Sequence, residues 1–177
     1  MKNVPSVRMR EIPPKIIGAP ARYIQGVDAL DLLGGILQDF GEKPLIVSDD
    51  VVWSILGERV TEAVGKSGMK PTLASFGGEC SHAEIDRIST LCRDAGGDVV
   101  IGLGGGKTID TAKAVSVNLS LPVIISPTIA SNDAPTSRVI VIYDAKGALV
   151  EVQRMPFNPN VILVDTGVIA NAPVRFL

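Results

Sequence analysis

An α/β fold, a parallel sheet with helices on both faces plus β-hairpins, is what this 177-residue sequence predicts, and three observations carry the prediction. Short, wholly apolar runs recur at 45–47, 99–101, 123–125 and 161–164, as strands buried on both faces of a parallel sheet require. Between them lie stretches whose apolar residues fall three and four apart, the pattern of helices that cover such a sheet. A run of glycines leaves one of these strands and opens one of these helices. Apolar residues make up 46% and charged residues 20%, enough for a packed core in one domain, or in one domain with part of a second.

The chain order of the elements is as follows. Pro5, Pro13 and Pro14 break the start of the chain, and no basic-then-apolar signal pattern accompanies them. Residues 15–17 and 22–24 bracket Gly18-Ala19-Pro20 and predict a short hairpin. Over 27–40, Val27, Leu30, Leu33, Ile36 and Leu37 share one helical face. Strand 45–47 is closed by Ser48-Asp49-Asp50, and helix 51–66 ends at Ser67-Gly68, where a C-cap would sit. Residues 72–76 make the next strand. Ser81-His82-Ala83-Glu84 has the form of a capping box and opens a helix that Gly96-Gly97 stops. Strand 99–101, helix 108–117 and strand 123–125 come next. Residues 138–143 and 148–152 alternate around a turn and predict a second hairpin, and 161–164 is the last strand. Asn171 would cap a further helix, with Ala172-Pro173 at its first positions. The chain then stops at Arg175-Phe176-Leu177, too soon for that helix to bury a face, so it reads as cut inside a larger protein.

Charge and cysteine usage exclude several functions. Lys plus Arg is 17 and Asp plus Glu is 19, a net charge of −2, which argues against binding nucleic acid by phosphate neutralisation. No apolar stretch approaches the roughly 18 to 20 residues that span a bilayer, so the mean hydropathy of +0.31 reflects a core. Cys80 and Cys92 form no CxxC, and His82 is the only histidine, expected to be solvated on its helix. A four-ligand structural zinc site, a multi-histidine metal site and a histidine triad are therefore out of reach of this chain. Reduced thiols in a cytoplasmic protein are expected.

The residues that carry chemistry cluster after strands. Gly102-Leu103-Gly104-Gly105-Gly106-Lys107-Thr108 fits neither the P-loop nor the G-x-G-x-x-G fingerprint, whose required glycines would fall on Ile101 and Lys107. Three adjacent glycines nevertheless exceed what a turn needs, and a helix start offers free N–H groups, so phosphate or pyrophosphate binding is expected there. The alternative is a tight turn with no ligand. Asp49, at the carboxyl end of a buried strand, suits either the hydroxyls of an adenosine ribose or the N-cap of the following helix, and geometry alone favours the cap. Residues 127–137 hold four hydroxyls, an amide and a carboxylate, which suits a polyol or an ordinary turn-rich loop.

Taken together, these motifs resemble the iron-containing-type, metal-dependent alcohol dehydrogenases. Residues 104–113 match the GGG-[SK]-x-x-D-x-A-K signature of that family. Residues 127–137, the Phe76–Ser81 run, Val164-Asp165-Thr166 and residues 172–175 look like its glycerol dehydrogenase branch, in the same order along 16–177. The resemblance implies a Rossmann-like NAD-binding domain over 1–162, and the start of a C-terminal helical domain, absent from this chain, over 163–177. It implies NAD-dependent oxidation of glycerol to dihydroxyacetone by zinc-assisted hydride transfer in an intact, homo-oligomeric, cytoplasmic enzyme. Asp49 would hold the adenosine ribose, Gly105, Gly106 and Lys107 the pyrophosphate, and Asp110 would lie toward the nicotinamide. Thr128, Ser131, Ser137, Val139 and Tyr143 match further cofactor contacts, and Asp133 a glycerol contact. The zinc ligands, one Asp and two His, would fall beyond Leu177, so the chain alone is expected to be inactive and to need a complementary C-terminal fragment. Two alternatives remain: a glycerol-1-phosphate dehydrogenase or dehydroquinate-synthase-like enzyme, against which the polar loop offers only Arg138, or a non-catalytic nucleotide-binding half-chain.

Overall fold

The computed structural model describes residues 17–176. Its centre is a six-stranded, wholly parallel sheet, built from β1 (Arg22–Gly26), β2 (Pro44–Ser48), β3 (Thr72–Ser75), β4 (Val99–Gly104), β5 (Val123–Pro127) and β8 (Val161–Asp165), in the order β1-β8-β5-β4-β2-β3. The middle strands are buried on both faces, which is why they are apolar without alternation. Helices α1 (Leu33–Leu37) and α2 (Asp50–Gly65) cover one face through Leu37, Val60 and Val64 against Ile46, Ile101 and Leu103. Helices α3 (His82–Asp94) and α4 (Gly106–Leu119) cover the other, with Ile88, Ala112 and Val115 against Leu45, Val47 and Val100. A separate antiparallel hairpin, β6 (Val139–Tyr143) and β7 (Leu149–Arg154), leans on α4.

Several expectations change. The first arm of the hairpin expected at 15–17 lies, apart from Ile17, outside the described residues, as do Pro5, Pro13 and Pro14. Its second arm is β1, which pairs in parallel with β8 instead. The single helix expected over 27–40 is a 3-10 turn, Ala29–Leu32, followed by the short α1. Asp28 is left-handed (φ 59°), which delays the start, and Gly34-Gly35 lower the helix propensity of α1 itself. Gly34 is required by close approach: a Cβ there would stand 2.2 Å from the Ala63 carbonyl oxygen of α2. Asn171 ends a helix, α5 (Thr166–Ala170), rather than starting one; Asp165 caps that helix, and only a 3-10 turn, Val174–Phe176, comes after it. The boundary drawn at 162 falls within β8, whose pairing with β1 carries the sheet through Asp165.

The strand order places the site. From β2 the chain proceeds outward to β3, whereas from β4 it proceeds the other way to β5, so β2 and β4 flank a topological switch point. A crevice opens at the carboxyl ends of such a strand pair, where doubly wound sheets bind ligands.

Candidate functional site

The glycine loop lies at that crevice. β4 ends at Gly104, Gly105 is the N-cap of α4, and no side chain caps the helix. The first-turn N–H groups are therefore available to an anion, reinforced by the helix dipole. Neighbouring side chains already crowd two of these glycines. A Cβ on Gly106 would come 2.8 Å from Asn132 Nδ2, one on Gly104 would come 2.9 Å from Thr108 Cβ, and one on Gly105 would meet only the end of Ile129 at 3.1 Å. Close approach of the Thr108 and Asn132 side chains thus requires glycine at 104 and 106, while at Gly105 the space before the helix start is open apart from the end of Ile129.

Beside it is a cleft of about 400 Å³ lined by Gly106, Lys107, Asp110, Asp133, Ser137, Val139 and Tyr143, together with Asn132, Ala134 and Val141. Seven of the residues selected from sequence thus meet in one place. Gly105, Thr128 and Ser131 flank it: Thr128 is buried after β5, its N–H donating to the Gly104 carbonyl at 3.1 Å, and Ser131 is exposed beside Asn132. Asp49 stands apart at the end of β2. Its carboxylate accepts from the Val52 N–H at 2.9 Å, so the capping role is realised. Arg138 is not at the cleft. It donates to the Pro156 carbonyl and lines a different cavity with Ser120, Pro122 and Asn160, residues at the amino ends of the strands.

Two ion pairs set the electrostatics. Lys107 Nζ lies 2.6 Å from Glu79 Oε2 and 5.3 Å from the centre of the Tyr143 ring, which holds the lysine across the cleft mouth. Asp110 is buried; its Oδ2 accepts from the Val141 N–H at 3.0 Å and its Oδ1 is 2.8 Å from Lys113 Nζ. Burial pushes the Asp110 pKa up, and the Lys113 charge opposes that rise. Asp133 turns the loop with its main-chain carbonyl, which accepts from the N–H groups of Thr136 and Ser137. Its side chain is thereby left to the cleft. Ser137 Oγ accepts from the Val139 N–H.

Sequence reasoning missed Glu79, Asn132 and Lys113. Lys113 had a signal: it is a lysine three residues after an aspartate, and the two are the only charged residues from Ile109 to Val117. Glu79 and Asn132 had none beyond their loops. Cys80 and Cys92 are free and buried, and burial pushes the Cys80 thiol up to about 11, so neither is a reactive thiolate. His82 is exposed at the start of α3, 3.2 Å from Glu151. Among the described residues no three of His, Cys, Asp and Glu converge as metal ligands, and no helix is long and apolar enough to cross a membrane.

Comparison with known proteins places this site in context. The family model described as iron-containing alcohol dehydrogenase matches residues 20–166. Glycerol dehydrogenase of Citrobacter freundii is 42% identical over 163 residues, covering 92% of this chain and 45% of that protein. Glycerol dehydrogenase of Thermotoga maritima is 48% identical over 159 residues, covering 89% and 43%. The crystal structure of a probable glycerol dehydrogenase from Sinorhizobium meliloti superposes with a TM-score of 0.85 at 37% identity, covering 92% of this chain and 44% of that one. The chain spans about half the length of the relatives it matches.

Proposed function

Because this chain belongs to the iron-containing alcohol dehydrogenase family, we propose that it is the NAD-binding part of a glycerol dehydrogenase, which oxidises glycerol to dihydroxyacetone. The observation that carries the proposal is the uncapped, glycine-opened start of α4 at the switch point, beside a cleft that holds Lys107, Asp110 and Asp133. The α/β unit through β8 serves the cofactor. NAD, when bound, supplies the hydride acceptor.

The chain's own residues bind and orient. The N–H groups of the first turn of α4 and the Lys107 ammonium would hold the pyrophosphate. Val139 and the Tyr143 ring would wall the nicotinamide against β6, with Asp110 and Ser137 at its edge. The Asp133 carboxylate would accept hydrogen bonds from substrate hydroxyls and fix the carbinol carbon toward the cofactor. Asp49 would meet the adenosine ribose, where a 2′-phosphate would be repelled, so NAD is preferred over NADP. The zinc implied by the resemblance would take its ligands from beyond Leu177; among the described residues no three of His, Cys, Asp and Glu converge.

The charge balance favours an uncharged polyol over a phosphorylated one. Lys107, the one cation lining the cleft among the described residues, is already paired with Glu79, and Asp133 adds a negative charge. A phosphate ester would enter with no surplus cation to meet it. The test is kcat/KM for glycerol against glycerol 1-phosphate, with NAD, in the protein that carries this chain. Glycerol should be used far better, and equal or better use of the phosphate ester would refute the assignment.

A further inference from the structure

Lys113 lies outside the cleft, yet it is the largest fully buried side chain of the described residues, at 0% exposure. Its ammonium donates to the carbonyl oxygens of Ala134 and Val139, with that of Ser137 at 3.4 Å, and pairs with Asp110. A buried lysine is costly unless every N–H is used, and here the acceptors outnumber its three hydrogens.

Those acceptors have a pattern. The hairpin is not part of the main sheet, so β6 pairs with β7 along one edge and has no partner strand on the other, where the Tyr143 N–H donates to the Cys80 carbonyl at 2.8 Å. On that second edge the Val139 carbonyl is taken by Lys113 and the Val141 N–H by Asp110. One ion pair, three residues apart on α4, thus does for β6 what a neighbouring strand would do, supplying one donor and one acceptor. The segment it fastens, 134–141, comes directly after Asp133 and carries Ser137 and Val139, which line the cleft together with Lys107.

We propose that Lys113 is a positioning residue: with Asp110 it clamps the second edge of β6 and the loop before it to α4, and so holds the cofactor-facing wall of the cleft in place. The proposal rests on the cofactor reading above. Loss of the cation would strand the Asp110 carboxylate in the interior and release the loop locally, while the sheet and its two helical layers stay intact.

The test compares the chain with Lys113→Met, Asp110→Asn and the double variant, by thermal melting and by NADH titration between pH 5.5 and 8.5. Lys113→Met should bind NADH on the order of tenfold or more weakly at pH 8, and its affinity should recover as pH falls and Asp110 takes up a proton. The double variant should lose that pH dependence and bind better than Lys113→Met at pH 8. The other titratable groups facing Asp110 are Asp133 on the loop, Lys107 on α4, Tyr143 on β6 and Cys80 before α3, and all are common to the four proteins. A folded Lys113→Met with wild-type affinity and pH profile would overturn the inference and leave the cofactor reading standing. Failure of the wild-type chain to bind NADH would overturn both. Should Lys113→Met not fold, amide exchange in the wild type decides: NADH should slow exchange at the Val141 N–H, and no change there would refute the clamp.

Discussion

Replacing Asp165 by alanine should unfold the carboxyl end of β8 from its neighbours. The side chain is 1% exposed. Its Oδ2 accepts from the Leu30 N–H at 3.2 Å and its Oδ1 from the N–H groups of Gly167 and Val168 at 2.9 and 3.2 Å. It also pairs with Arg59 at 3.0 Å, but Arg59 keeps Asp31 and Asp28 as partners, so alanine does not orphan the guanidinium. The loss is therefore one buried N–H of Leu30 left without a partner, about 1–3 kcal/mol, plus an N-cap worth about 1 kcal/mol. A total near 3 kcal/mol corresponds to roughly 6–12 °C in a protein of this size. Burial alone would raise the Asp165 pKa, but the Leu30 and Val168 N–H groups, the Arg59 charge and the Gly167 N–H hold it below the ordinary carboxylate range. A depressed folded-state pKa means that the carboxylate stabilises the fold above its unfolded pKa, near 4, and that this contribution is lost as pH falls through the folded value. Urea unfolding of wild type and Asp165→Ala at pH 7 and at pH 3 would show a large gap that narrows in acid. A difference below about 1 kcal/mol at pH 7 would refute the anchoring role assigned to this residue.

The cleft leads to two further outcomes. Asp49→Gly should relax the preference for NAD over NADP while costing only a few tenths of a kcal/mol, since glycine is a tolerable N-cap; kcat/KM with each cofactor and a melting curve check both halves of the statement. Asp133→Asn should lower kcat/KM for glycerol by roughly tenfold to a hundredfold with little effect on NADH affinity, because a hydrogen bond to a charged acceptor is weakened while the turn is held by the main-chain carbonyl. An equal loss in NADH affinity would show that the Asp133 side chain maintains the loop.

Much of this architecture is legible in the sequence because burial on both faces leaves a plain mark. Leu45-Ile46-Val47, Val99-Val100-Ile101 and Val123-Ile124-Ile125 have no polar alternation and are the centre of the sheet. Ser81 caps α3 as its spacing predicts, although Glu84 completes the arrangement by accepting from the Gly77 N–H rather than from Ser81. The elements that escaped did so for physical reasons. Five residues make barely more than one turn, so α5 shows no periodicity, and Asn171 reads as a start when it is an end. The 27–40 stretch buries Leu30, Leu33, Ile36 and Leu37 but leaves Val27 exposed, because left-handed Asp28 delays the start and the chain runs as a 3-10 turn before α1. The spacing of Lys113 from Asp110 is visible in the sequence but its burial is not, because nothing local shows that α4 is walled by the sheet, by α3 and by the hairpin at once. Asp49 could be read two ways, and only its cap is visible in the fold.

The central claim is that the open start of α4 is a cofactor cradle, and calorimetric titration of NADH into the wild-type chain and Gly105→Val tests it most directly. The added Cβ meets only the end of Ile129, at a backbone φ of −86°, so the variant should melt close to wild type. It would nonetheless stand between the N–H groups of α4 and a pyrophosphate. The account predicts one NADH per wild-type chain and no measurable binding by Gly105→Val. Equal affinity in the two proteins would contradict it.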